Sequence, residues 1–148
     1  MDDRLRKQAW EYFQLHASQR LTTFNFYLAV CTAIAAGEVA SFHREFNFPA
    51  LRVVFGALLV VFSFVFWKLD ERNRLLIKNA EAALKFFEEQ DSKEVQPAHV
   101  FRREEIITAE MKSQGKWLLS YSVCFRVVFV VFGVIGVLSM AMPFLSGR

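Results

Sequence analysis

Three long apolar stretches, basic residues gathered on one side of them and an excess of phenylalanine predict an all-α membrane protein. It is expected to have three transmembrane helices, an amphipathic N-terminal helix and a cytoplasmic helical hairpin, and to assemble as a homo-oligomer. The stretches are Leu21 to Gly37, Val53 to Trp67 and Val127 to Leu145. Of the 18 Lys and Arg, four precede the first stretch, eleven lie between Lys68 and Arg126, and three remain for the other side. Short flanking segments rich in Lys and Arg stay in the cytoplasm. The N-terminus and the 68–126 segment are therefore expected on the cytoplasmic side of the membrane, with the C-terminus outside. The 17 phenylalanines among 148 residues argue against a water-soluble bundle.

Residues 1–20 mix Leu5, Trp10, Phe13 and Leu15 with charges and contain neither Pro nor Gly, the pattern of an amphipathic cytoplasmic helix rather than a cleavable leader. The first transmembrane helix follows over 21–42. Its first charge is Glu38, which is read with His43 and Glu45 as a loop residue of the external side, and an external loop is expected at 43–49. The second helix, 50–67, is short for a hydrocarbon core that takes about 20 residues, but Arg52 can snorkel at its outer end. No helix breaker occurs from Lys68 to Gln90, so the same helix is expected to run on as a stalk, with Leu69, Leu76, Ala80, Ala83 and Phe87 as its apolar seam. A turn at Asp91 to His99 and a shorter helix from Val100 to Met111 complete the 68–116 hairpin. The third transmembrane helix lies within 117–145 and includes nineteen uncharged residues from Val127, with 146–148 as an external tail. Trp67, Trp117 and Tyr121 fall near the cytoplasmic ends of the spans, as an aromatic belt requires.

Two features of the spans invite a functional reading. Thr22, Asn25, Ala29, Thr32, Ala33 and Ala36 recur at three- and four-residue spacings and draw one small, polar stripe down the first span. An amide at membrane depth needs a hydrogen-bond partner or water, so the stripe faces either another helix or a water-filled path. Arg126 stands at the cytoplasmic end of the third span, where it either snorkels or rings the mouth of an oligomeric pore. On this reading Thr22, Asn25, Ala29, Thr32 and Arg126 are the pore-lining candidates. The net charge of +3 does not suit a general polyanion binder. Arg72, Arg74 and Lys78, and again Arg102 and Arg103, are bunched, however, and become candidates for binding an anionic ligand once copies of the chain repeat them.

Catalysis has little to rest on. There is no glycine-rich phosphate loop, no nucleophile elbow and no carboxylate pair that the sequence places in an evident pocket, and His16, His43 and His99 are isolated in sequence. Cys31 and Cys124 show no metal-ligand spacing and are not expected to pair, so neither a metal nor a cofactor is called for.

The run Tyr12-Phe-Gln-Leu-His-Ala-Ser-Gln-Arg-Leu-Thr-Thr-Phe-Asn25, leading into a span, and the run Phe66-Trp-Lys-Leu-Asp-Glu-Arg-Asn-Arg-Leu-Leu-Ile-Lys-Asn-Ala-Glu81, leaving one, resemble small membrane effectors of bacterial antiphage systems. These are the SLATT-type proteins and the membrane effector of the Hailong system, which is paired with a nucleotidyltransferase. The resemblance implies a homo-oligomeric ion channel, with a tetramer as the first stoichiometry to test. It further implies gating from the cytoplasm by a nucleotide or single-stranded DNA oligomer that the partner enzyme makes, and membrane disruption with growth arrest when the channel opens. The alternative from another class is a non-conducting membrane scaffold that recruits a cytoplasmic partner through the hairpin.

Overall fold

The computed structural model describes residues 3–41, 49–90, 99–113 and 121–146. Among these are four helices, α1 (Asp3–Ala40), α2 (Pro49–Gln90), α3 (Val100–Ser113) and α4 (Tyr121–Ser146), and no strand. The readings of His43, Glu45 and Trp117, of the turn at 91–98 and of the last two residues lie outside the described residues. Helices α1, α2 and α4 are long and apolar enough to cross a membrane. The fold is that of an all-α membrane protein with three membrane-crossing helices.

Local chemistry accounts for the helix ends. Asp3 lies in the first turn of α1, where negative charge suits the helix dipole. Ser41 closes α1: its N–H donates to the carbonyls of Gly37 and Glu38 at 3.1 and 2.9 Å, and its hydroxyl donates to the Glu38 carbonyl at 2.6 Å. Pro49 opens α2 in its first turn, where a missing N–H removes no hydrogen bond from the helix. Pro143 falls in the last turn of α4, where only the end of the hydrogen-bond ladder is interrupted.

The chain packs as two units, one made of Met1–Leu21 and Glu71–Val123, the other of Thr22–Asp70 and Cys124–Arg148. Helices α1 and α2 contribute to both, and α4 gives its first three residues to the first unit and the rest to the second.

The second, apolar unit has an aromatic core. Tyr27, Cys31, Leu59, Phe66, Phe125 and Phe129 are buried together. Phe24 stacks flat on Phe125 at 3.8 Å between centroids, and Tyr27 meets Phe129 edge-on at 4.8 Å. The Tyr27 hydroxyl shares a 2.9 Å hydrogen bond with the Ser63 hydroxyl, so its one polar atom is satisfied inside the core. At Gly56 and Gly136, α2 and α4 touch backbone to backbone: a Cβ added to either glycine would stand 2.6 Å from the other's carbonyl oxygen. Glu38 corrects the sequence reading. It is not a loop residue but part of α1 and buried, and the Ser139 hydroxyl of α4 donates to its carboxylate. Cys124, by contrast with Cys31, is exposed.

In the hairpin unit the buried positions of α2 are Ala80, Leu84 and Glu88, four residues apart and so on one face. The expected seam included Ala80 but missed Leu84 and Glu88, and its first member, Leu69, is exposed. Glu88 is buried because each of its carboxylate oxygens accepts a backbone N–H from the start of α3, from Phe101 and Arg102, at 3.1 Å. An acid from a neighbouring helix thus caps α3, satisfying two amides that have no partner within the helix itself. Lys85 and Glu105 pair at 2.8 Å alongside. Trp10 and Phe13 of α1 pack against Phe101, Phe13 edge-on at 5.3 Å. Arg20 donates to the Ser122 hydroxyl at 3.3 Å.

Candidate functional site

Two groups of residues merit attention, one in each unit. In the apolar unit, α1 turns Tyr27, Cys31 and Glu38 into the core, with Phe24, Leu28 and Ile34 beside them. A helix that buries this face presents the opposite one outward. That outward face carries Thr22, Asn25, Ala29, Thr32, Ala33 and Ala36, all exposed. The small, polar stripe is therefore not what packs α1 against the chain's own spans. The outward positions of the other two apolar helices are large and aliphatic or aromatic: Val54, Leu58, Val61 and Phe64 on α2, and Val130, Val134, Val137 and Leu138 on α4. These suit lipid; an exposed asparagine does not. Arg126 is half-buried in α4, directly after the core residue Phe125.

In the hairpin unit the basic candidates fall into two places. Arg72, Arg74 and Lys78 lie in the part of α2 nearer its apolar stretch. Arg72 and Lys78 are exposed, and Arg74 is half-buried with its Nε lacking a hydrogen-bond partner. Arg102 and Arg103 are exposed in the first turn of α3, which Glu88 holds. From Arg74 to Glu88 is fourteen residues, roughly 20 Å along a helix, so within one chain the two basic groups stay apart. Acids occupy much of the seam between them. Burial pushes the Glu81 carboxyl above its ordinary value, the charge of Glu104 adds to the rise, and Lys85 and Lys78 oppose it. The hydrogen bond from Lys85 holds Glu105 below the usual range.

One feature of this unit was not anticipated from the sequence. A half-open cavity of about 400 Å³ is lined by Arg6, Trp10 and Phe13 of α1, Leu84 and Glu88 of α2, and Val100, Phe101 and Glu104 of α3. Trp10, Phe13 and Phe101 were legible as apolar members of their helices. That three helices bring them to one hollow depends on the Glu88 cap, which no spacing announces. Among the described residues no cluster of His, Cys, Asp or Glu is fit to hold a metal ion.

Comparison with known proteins agrees with this architecture. A protein of Escherichia coli described as CD-NTase-associated protein 19 is 38% identical over 149 residues, covering 96% of this chain and 92% of its own length. No solved structure matches. The octameric membrane protein family (8xMP) matches residues 4–144, and its stoichiometry of eight stands in place of the tetramer named above. With a family match over nearly its whole length, three membrane-crossing helices and a polar face turned away from its own core, the chain belongs to the octameric membrane protein family.

Proposed function

We propose that this protein is a non-enzymatic membrane effector of an antiphage defence system, an ion channel whose eight copies enclose a path lined by α1. The name of the Escherichia coli relative supports an association with a CD-NTase, and hence gating by the product of a partner nucleotidyltransferase. The hairpin unit and the N-terminus face the cytoplasm of the inner membrane and the C-terminus lies outside, because the basic residues gather on that one side. There a nucleotide or single-stranded DNA oligomer sets the open fraction by binding one state more tightly than the other. Arg72, Arg74, Lys78, Arg102 and Arg103 are its candidate contacts, and Arg126 the candidate charge at the mouth. Opening the path disrupts the membrane and arrests growth.

The observation that carries this reading is the outward face of α1. Asn25 and Thr32 find no place in the chain's own core, and lipid leaves an amide without a partner. Water enclosed by a ring of copies meets that need. Eight helices about 9 Å apart, each roughly 10 Å thick, leave an opening on the order of 12 Å across, which admits hydrated ions.

Reconstitution into liposomes with an ion-flux readout tests the proposal. Wild-type protein should conduct, and Asn25→Leu should cut the flux while the octamer persists. A well-folded octamer that carries no ions, with or without nucleotides, would leave the scaffold reading in its place. In cells, expression should lower the membrane potential.

A further inference from the structure

We infer that the cavity of the hairpin unit is a nucleotide-binding site, with a base held among Trp10, Phe13 and Phe101 and its phosphate facing Arg6. The inference rests on the nucleotide-gated channel proposed above and assigns the ligand a place that the basic clusters alone did not.

The lining decides the class of ligand. Its walls are three aromatic rings with Leu84 and Val100, and its polar groups are one cation, Arg6, and two acids, Glu88 and Glu104. A purely apolar occupant would remove these charges from water and return nothing. A compact polyanion would meet two carboxylates for a single guanidinium. A nucleotide carries all three complements: a flat ring for the aromatic walls, a phosphate for Arg6, and, on adenine, guanine or cytosine, an amino group that a carboxylate accepts. Glu104 is the exposed acid of the pair and suits that role, since Glu88 already takes the Phe101 and Arg102 amides. The volume of about 400 Å³ lies within the range of small-molecule sites.

The same lining limits how much of a ligand enters. With acids inside, one nucleotide occupies the hollow and further phosphates stay outside, where Arg102 and Arg103 are exposed immediately after Phe101. Arg72 and Arg74, roughly 20 Å away along α2, do not touch the same nucleotide. A bound base bridges α1, α2 and α3, because each supplies part of the wall.

The test uses the full chain in lipid nanodiscs, titrated with cyclic di-AMP, cyclic di-GMP, cyclic di-UMP and single-stranded oligo-dA. An amino-bearing probe should bind, and cyclic di-UMP should bind more weakly, since uracil has no amino group. Trp10→Leu removes a wall and Val100→Trp fills the hollow from its exposed rim. Each should weaken binding roughly tenfold to a hundredfold, whereas Trp10→Phe should retain most of it. The inference is overturned if both weakening variants bind as wild type does, or if only reversal of Arg72, Arg74 and Lys78 abolishes binding. It is equally overturned if Val100→Trp breaks the octamer, which would show that a second copy fills the hollow. Those results leave the gated channel standing. Failure of wild-type protein to bind any of the four probes overturns nucleotide gating itself.

Discussion

In the apolar unit, buried polar groups find one another across helices: Tyr27 with Ser63, Glu38 with Ser139. In the hairpin unit the chief buried acid, Glu88, is satisfied by backbone, and every residue from Arg102 to Glu110 on α3 is exposed. The contrast follows from the solvents. Without water, a span has to pair its polar atoms internally and gains its cohesion from close packing. A segment of a few short helices in water buries little core and leans on caps and neighbouring copies. The apolar unit should therefore fail through lost fit, and the hairpin unit through lost ends.

The largest effect is expected at the glycine crossing. Gly136→Leu should abolish folded protein on size exclusion, because even a Cβ there would stand 2.6 Å from the Gly56 carbonyl and 3.0 Å from Leu59. Gly133→Ala is the control: its Cβ would meet Ser63 at 3.7 Å, an ordinary contact, so the octamer should remain. If both variants behaved alike, fit would not be what holds these spans.

Glu88→Ala should come next, costing about 1–2 kcal/mol through the two α3 amides it leaves without partners. Hydrogen exchange should accelerate at Phe101 and Arg102 and not at Tyr27. Equal acceleration in both units would make them one cooperative body and dissolve the comparison.

The smallest effect concerns pH and belongs to the hairpin unit. Folding raises the Glu81 pKa, so ionised Glu81 costs stability above that value and the cost is gone below the ordinary 4.5. Glu105, held low by Lys85, contributes stability that is lost only as pH falls through its lowered value. Mild acidification from neutrality towards 4.5 should therefore raise the melting temperature of the hairpin unit, with a decline below. Glu81→Gln should give the same gain at pH 7 and flatten the upper part of the profile. A melting temperature of Glu81→Gln below that of wild type at pH 7 would contradict this assignment.

The three spans were legible because length and apolarity are local properties, and α2 was legible to its last residue because nothing from Lys68 to Gln90 breaks a helix. The stripe on α1 was also legible as a stripe, but which way it faced was not. That depended on Tyr27, Cys31 and Glu38 claiming the other side. Glu38 misled because a first charge ordinarily marks the end of a span, and its partner, Ser139, lies 101 residues further on. The seam of α2 was misjudged for a related reason: small Ala83 scored as apolar, while the helix buried Leu84 and Glu88, whose value lies in what α3 brings to them. The cavity was out of reach, since it is a property of three helices and of none singly.

The glycine crossing has a mechanical meaning as well. Most helix contacts are cushioned by side chains that can change rotamer and so let two helices slide or part by small steps. Between Gly56 and Gly136 there is no such cushion, only peptide against peptide. The crossing therefore acts as a fixed spacer: α4 cannot come nearer α2 there without peptide meeting peptide, and the distance between the two helices is set by backbone rather than by side chains.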